Sequence, residues 1–336
     1  MQLHSRVPVR PDVPTLEWHD NHLRILDQRC LPESRIWVEC RDAADAAAAI
    51  SDGVVQDASA TGLVAAYGIA LAAQRIGRAD DWVAALEADF ASLARTQPSS
   101  VHLNWVLRML GERLRRLSDP QLDVPELLAQ AAISLHASDL ETRRVTGRLA
   151  AHAIRRHDRE AQKFLVQAAP AALGAIQGAH AAGLVEQVYM CADASADATR
   201  LAQWELDQAE VPVALQQVGA AGQLMKSDNL QWVVVGAQRI AANGDVINDV
   251  GTYALAILAM HHGLRFMVVA SSSAFDLALE NADELEPDDS LLMVNDQLLL
   301  DVTPAELIDV IVTERGLVER PDESRIAELL SPQRLH

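Results

Sequence analysis

Trp232-Val233-Val234-Val235-Gly236 constrains the chain more than any other stretch, because an apolar, β-branched run leads straight into a glycine. A run without polar alternation reads as a strand buried on both faces, as in a parallel sheet covered by helices. Phe164-Leu165-Val166, Gln187-Val188-Tyr189-Met190, Pro212-Val213-Ala214-Leu215 and Phe266-Met267-Val268-Val269 read as further strands, separated by helix-length segments. That rhythm predicts a Rossmann-like, mostly parallel sheet with crossover helices. Ligands of such sheets bind beyond the carboxyl ends of the strands. There the chain reads Ala237-Gln238-Arg239-Ile240-Ala241-Ala242-Asn243-Gly244-Asp245, then Asn248-Asp249-Val250-Gly251, before an amphipathic helix starts at Thr252. Asn243-Gly244 is a turn dipeptide. An active site is expected to use this loop.

The N-terminal part has a different texture. Thr15-Leu16-Glu17-Trp18 and Leu23-Arg24-Ile25-Leu26 flank the polar Asp20-Asn21, and Ile36-Trp37-Val38-Glu39 follows Pro32, which predicts a small antiparallel sheet. Helical periodicity then runs over residues 44–55, 62–75, 80–94 and 100–116. Tyr67, Trp82, Phe90 and Trp105 fall on apolar stripes and are expected in the core. Ser118-Asp119-Pro120 stops the last helix, and Pro125 sits near the first turn of a long one running toward His157. The expected division is therefore residues 1–120, a β/helical domain, and residues 121–336, the Rossmann-like domain. Thr303-Pro304-Ala305-Glu306 reads as a capping box opening a helix through Val312, and the charged tail from Glu319 is expected to fray at its end.

A length of 336 residues fits two domains. A formal net charge of −19 argues against a surface that attracts nucleic acid or anionic lipid. No apolar run reaches the roughly 20 residues of a membrane helix, and the N-terminus lacks a signal-peptide core, so a cytoplasmic protein is expected. Cys30, Cys40 and Cys191 have no CxxC spacing and read as buried structural thiols. His261-His262 ends a helix before Gly263, and the run Glu284-Leu285-Glu286-Pro287-Asp288-Asp289 lacks the spacing of a calcium hand. Neither gives a metal site. No GxGxxG follows any strand, so no dinucleotide is expected, and no cofactor of any kind.

Over nearly its whole length the sequence resembles the methylthioribose-1-phosphate isomerase family, with its relatives the ribose-1,5-bisphosphate isomerases and the regulatory subunits of translation initiation factor 2B. The resemblance is carried by Leu16-Glu17-Trp18, Ile25-Leu26-Asp27-Gln28, Ala65-Ala66-Tyr67-Gly68, Leu103-Asn104-Trp105, Arg200-Leu201 with Trp204-Glu205-Leu206, Arg239-Ile240-Ala241-Ala242-Asn243-Gly244-Asp245, Gly251-Thr252-Tyr253, Phe275-Asp276-Leu277 and Asp301-Val302-Thr303-Pro304. It implies a β-plus-helix N-terminal domain, a Rossmann-like C-terminal domain and a homodimer.

The resemblance also implies an acid/base pair, a cysteine in a Cys-Asn loop and the aspartate of Gly-Ala-Asp-Arg, together with a cationic phosphate clamp. This chain departs from each. The loop after Phe164-Leu165-Val166 reads Gln167-Ala168-Ala169-Pro170, and the aspartate position holds Gln238, whose amide accepts no proton at neutral pH. Arg-Gly-Ala-Pro-Ala reads Gln56-Asp57-Ala58-Ser59-Ala60, Arg-Pro-Thr reads Gln97-Pro98-Ser99, and Asn-Lys reads Asn248-Asp249. Two glutamines in place of arginines, an aspartate in place of a lysine and the added carboxylate of Asp57 weaken the hold on a phosphate.

The expectation from these substitutions is a non-catalytic homologue, a pseudoenzyme with a binding or regulatory role. Its ligand would be an unphosphorylated sugar or nucleoside, or a protein partner, met by Gln56, Asp57, Gln97, Gln238, Asn248 and Asp249. Asp245 is the remaining candidate catalytic carboxylate; the plainer reading of the loop is that its hydrogen bonds cap and turn the backbone. The alternative is an active aldose–ketose isomerase of the methionine-salvage type with an altered active site, in which Asp57, Asp245 and Asp249 supply the chemistry. A third class is a structural subunit in a mixed oligomer with a competent isomerase.

Overall fold

The computed structural model describes residues 15–56, 58–98, 100–117, 122–192, 196–282, 293–294, 297–298 and 299–331. The chain separates into two compact units, which divide between Glu141 and Thr142.

The N-terminal unit opens with β1 (Leu16–His19), β2 (His22–Leu26) and β3 (Trp37–Cys40), an antiparallel sheet in that order. Helices α1 (Ala43–Ser51), α2 (Ala58–Ile76), α3 (Trp82–Thr96) and α4 (Val101–Arg115) follow, then the start of α5 (Val124–His157). Alternation along β2 buries Leu23 and Ile25, which join the alanine-rich buried face of α2 in one core. Small residues are needed there. A Cβ at Gly68 of α2 would lie 2.9 Å from that of Ala46 of α1.

Tyr67 is buried, and Trp82 and Phe90 pack partly buried against the same core. Trp105 departs from its expected place: it is 40% exposed and stacks on His102, while Leu103, Val106, Leu107 and Leu110 fill the core side of α4. Leu103, Val106, Leu107 and Leu110 form the i, i+3, i+4, i+7 stripe that faces the core, and Trp105 falls outside it.

The C-terminal unit is built on a seven-stranded sheet. Its strands are β4 (Gln162–Gln167), β5 (Val185–Cys191), β6 (Val213–Gln216), β7 (Trp232–Gly236), β10 (Arg265–Val269), β15 (Val310–Thr313) and β16 (Gly316–Glu319). The spatial order is β16-β15-β10-β7-β4-β5-β6, parallel except for the edge strand β16. Helices α6 (Pro170–Ala181), α7 (Ala196–Gln208), α8 (Ala221–Ser227) and α9 (Thr252–His262) connect the strands. Val234 and Val166 belong to one apolar cluster and Val233, Val235 and Leu165 to another, so the valine run is buried on both faces as expected.

A second, four-stranded sheet, in the order β11-β8-β9-β14, contains β8 (Arg239–Ala241), β9 (Val246–Asp249), β11 (Phe275–Asp276) and β14 (Leu300–Thr303). The short hairpin β12 (Met293–Val294) and β13 (Gln297–Leu298) precedes β14.

Two details at the C-terminus depart from expectation. After Thr303-Pro304 there is only a 3₁₀ turn, Ala305–Leu307, because the following residues Val310–Thr313 pair with β10 and β16. Sheet pairing of a β-branched run overrides the capping signal. The charged tail holds α10 (Glu323–Leu330), capped by Asp322 and anchored by buried Ile326 and Leu329. The acidic run 284–289 and residues 332–336 lie outside the described residues.

Candidate active site

The chain winds from β4 outward through β5 and β6 on one side, then through β7, β10 and β15 on the other. The reversal falls between β4 and β7. At such a switch point the connecting loops part and leave a crevice at the carboxyl ends of the strands. Gln167 ends β4 and Gly236 ends β7. Gly236 is required by close approach, since a Cβ there would lie 2.6 Å from that of Ala169.

Polar side chains from β4, β9, α9 and the loop after β7 meet at this point. Asn248, 2% exposed, donates from Nδ2 to Thr252 Oγ1 at 3.0 Å and, more weakly, to Gln167 Oε1 at 3.4 Å. Thr252 Oγ1 lies 2.6 Å from both Gln167 Oε1 and the Asp249 carbonyl oxygen. Gln167 Nε2 donates to the carbonyl oxygens of Asp249 and Val250 at 3.3 and 3.5 Å. Buried amide and hydroxyl groups are thereby satisfied by one another. The exposed Gln238 joins from the loop after β7, donating from Nε2 to Asp249 Oδ1 at 2.8 Å.

Asp245 is held differently. Its Oδ1 accepts from the Ala305 backbone N–H at 2.9 Å; its Oδ2 accepts from the Ala282 N–H at 3.1 Å and from Asn243 Nδ2 at 2.8 Å. The carboxylate thus braces three segments around the turn at Gly244, whose φ of +97° only glycine adopts readily. Asp301 of β14 caps α9, accepting the backbone N–H groups of Gly251 at 2.7 Å and Tyr253 at 3.2 Å. Burial pushes its carboxyl above the ordinary value, against the lowering effect of those two N–H groups. Arg239 pairs with Asp276 at 3.4 Å.

The structure therefore brings Gln238, Asn248 and Asp249 together, with Asp245 at the adjoining turn. Gln56 and Gln97 belong to the N-terminal unit. The Gln56 backbone N–H donates to Gln28 Oε1 at 2.6 Å, and Gln97 ends α3, its carbonyl accepting from the Ser100 N–H at 3.0 Å. Asp57 lies outside the described residues. Sequence reasoning did not single out Gln167, Thr252 or Asp301 as site residues. The available signal was positional: Gln167 is the polar residue ending the apolar strand β4, and Thr252 opens the helix after the loop.

Among the described residues no group of three or more His, Cys, Asp and Glu side chains is placed to hold a metal ion, and no helix is long and apolar enough to cross a membrane.

Residues 54–320 match the Initiation factor 2 subunit family. The methylthioribose-1-phosphate isomerase of Pseudomonas aeruginosa (strain UCBPP-PA14) is 43% identical over 361 aligned positions, which cover 99% of this chain and all of that one. The crystal structure of 5-methylthioribose 1-phosphate isomerase from Pyrococcus horikoshii OT3 superposes with a TM-score of 0.83 at 26% identity, covering 94% of this chain and 95% of that one. That of translation initiation factor eIF-2B, subunit delta, from A. fulgidus gives a TM-score of 0.80 at 27% identity, covering 94% and 98%.

These likenesses overturn the expectation of a non-catalytic homologue, a pseudoenzyme with a binding or regulatory role. Identity of 43% with a curated isomerase runs through the whole chain rather than through its scaffold segments alone. The expectation weighed a few positions singly along the sequence. It counted Gln238 as a lost carboxylate without the carboxylate of Asp249 that its amide holds at 2.8 Å.

Proposed function

The chain belongs to the Initiation factor 2 subunit family, and within it we propose an active aldose–ketose isomerase of the methionine-salvage type, acting on methylthioribose 1-phosphate with an altered active site. The observation that carries this reading is the 43% identity over 99% of the chain to a curated enzyme of that name. The crevice between β4 and β7 supports it, since it places polar groups where open α/β sheets bind ligands.

The reaction sets clear demands. The ring bond between C1 and O4 opens, the carbonyl forms at C2, and one proton moves from C2 to C1. A group able to take and return that proton must face those carbons. The exposed Gln238 offers an amide to orient sugar oxygens, while the buried Asn248 holds Gln167 and Thr252 in place. With glutamines in place of arginines, the phosphate is held by neutral hydrogen bonds, roughly half as strong as charge-assisted ones. A raised KM for the phosphorylated substrate is the expected cost.

We further read the protein as a cytoplasmic homodimer. Light scattering on the purified chain should give twice its 36.5 kDa mass. The decisive experiment incubates the protein with methylthioribose 1-phosphate and follows the sugar by NMR. Ketose 1-phosphate should accumulate to equilibrium. Unchanged aldose after prolonged incubation at saturating substrate would rule the isomerase out.

A further inference from the structure

Resting on the isomerase reading, the geometry points to Asp249 as the catalytic residue that carries the proton between C2 and C1, with Gln238 as its positioning residue. The crevice brings together Gln167, Gln238, Asn248, Asp249 and Thr252, and of these side chains Asp249 alone can take and return a proton near neutral pH. The neighbouring carboxylates are committed to structure. Asp245 accepts two backbone N–H groups and an amide, and Asp301 caps α9 through two backbone N–H groups.

The backbone carbonyl of Asp249 is fixed by Gln167 Nε2 and Thr252 Oγ1, while its side-chain Oδ1 receives Gln238 Nε2 at 2.8 Å. Gln238 itself is exposed, so this hydrogen bond adds little to stability. Its effect is to aim a half-buried carboxylate. Position 238 thus keeps a carboxylate oxygen within hydrogen-bonding distance, although the residue there is an amide.

Once the C1–O4 bond has opened and O4 has taken a proton, C1 is electron-poor. The C2–H electrons form the C1=C2 bond as the proton passes to the Asp249 carboxylate. That proton then returns to C1, while the electrons of the O2–H bond close the C2=O carbonyl. The proton released from O2 replaces the one O4 took up, with water carrying both, and Asp249 ends ionised as it began.

The test uses full-length wild type, Asp249→Asn, Gln238→Leu and the exchange Gln238→Asp/Asp249→Gln, assayed with methylthioribose 1-phosphate across pH. Asp249→Asn should lower kcat by on the order of 10²–10⁴-fold at nearly constant KM and erase the acid limb of the kcat profile. Gln238→Leu should shift that limb to higher pH, because an amide donor to the carboxylate is lost. The exchange, which returns a carboxylate and an amide to the same pair of positions, should recover activity relative to Asp249→Asn.

Wild-type turnover with Asp249→Asn within about threefold of it would overturn the assignment and leave the isomerase reading intact. An inactive wild type would overturn that reading, and this inference with it. Circular dichroism checks folding. If Asp249→Asn does not fold, an unchanged acid limb in Gln238→Leu overturns the assignment instead.

Discussion

Thr252 Oγ1 stands 2.6 Å from Gln167 Oε1 across 85 residues of sequence, joining the start of α9 to the end of β4. The same oxygen is 2.6 Å from the Asp249 carbonyl and accepts from Asn248 Nδ2 at 3.0 Å. In this fully buried place the hydroxyl accepts from one amide and offers its single proton to one of two flanking oxygens.

Thr252→Val keeps the volume and removes the hydroxyl. Leaving buried partners unsatisfied costs about 1–3 kcal/mol. Urea unfolding should show a loss in that range, whereas Thr252→Ser should stay close to wild type.

Helices α5 and α6 meet backbone to backbone. A Cβ on Gly178 would lie 2.5 Å from the Gly147 carbonyl carbon and 2.7 Å from its Cα, and it would also strike the carbonyl oxygen. Gly178→Ala is expected to lower stability by about 1–3 kcal/mol or more, as overpacking does. A Cβ on Gly174, one turn earlier, meets nothing within 4 Å. Gly174→Ala should be neutral or stabilising by up to about 1 kcal/mol through helix propensity. Thermal melts should show a clear loss for Gly178→Ala and none for Gly174→Ala.

Asp301 predicts a pH dependence. Its carboxyl lies above the ordinary 3.8 because burial disfavours the ionised form. The native state therefore binds this proton more tightly than the unfolded chain, and the stability it contributes is present below pH 3.8 and lost as pH rises through the native value. Asp301→Asn removes that dependence. Relative to wild type, the variant should gain stability from pH 3.8 upward, through the window in which native Asp301 ionises, as measured by urea unfolding at fixed pH values. A constant difference across that window would contradict the argument.

The thiols should differ in reactivity. Burial pushes Cys40 up to about 12 and Cys191 up to about 11, and both side chains are inaccessible in the native chain. Cys30 is partly exposed. Iodoacetamide at pH 8 should modify Cys30 first, with Cys40 and Cys191 labelled only on unfolding, because the thiolate is the reacting form. Peptide mass spectrometry reads the order directly.

Much of the fold is legible in the sequence because its signals are local. The unbroken apolarity of Trp232-Val233-Val234-Val235 reports burial on both faces, and that is where the strand lies. Where local and distant preferences disagree, the sequence misleads. Thr303-Pro304-Ala305-Glu306 carries a helix-start signal, yet β10 captures Val310-Ile311-Val312 as a neighbouring strand. Trp105 shows the limit of stripe reading, since Val106 and Leu107 take the core while it and Asn104 stay exposed.

The site was legible only as a loop. Its position beyond β7 followed from sheet physics, but its connections did not. Gln238 reads in sequence as a carboxylate replaced by an amide. In space it touches Asp249, a pairing across β8 and β9 that depends on the register of the hairpin. Gln167 and Thr252 meet through the switch point and carry no mutual signal in sequence. A residue-by-residue reading therefore counted losses, while the fold supplied a neighbour.

The order of strands also bears on when the crevice can exist during folding. β4 lies beside β7 in the sheet, with β5 and β6 intervening in the chain, and the contacts from Gln167 to Asn248 and Thr252 span 81 and 85 residues. Closing loops of that length takes entropy before any of these hydrogen bonds forms, and contacts so distant in sequence form late. A ribosome-bound chain that has emerged as far as β7 can hold much of its helix and several strands, yet it has no binding crevice. The polar network at the switch point is completed only when β9 and α9 arrive to close the circuit that β4 left open.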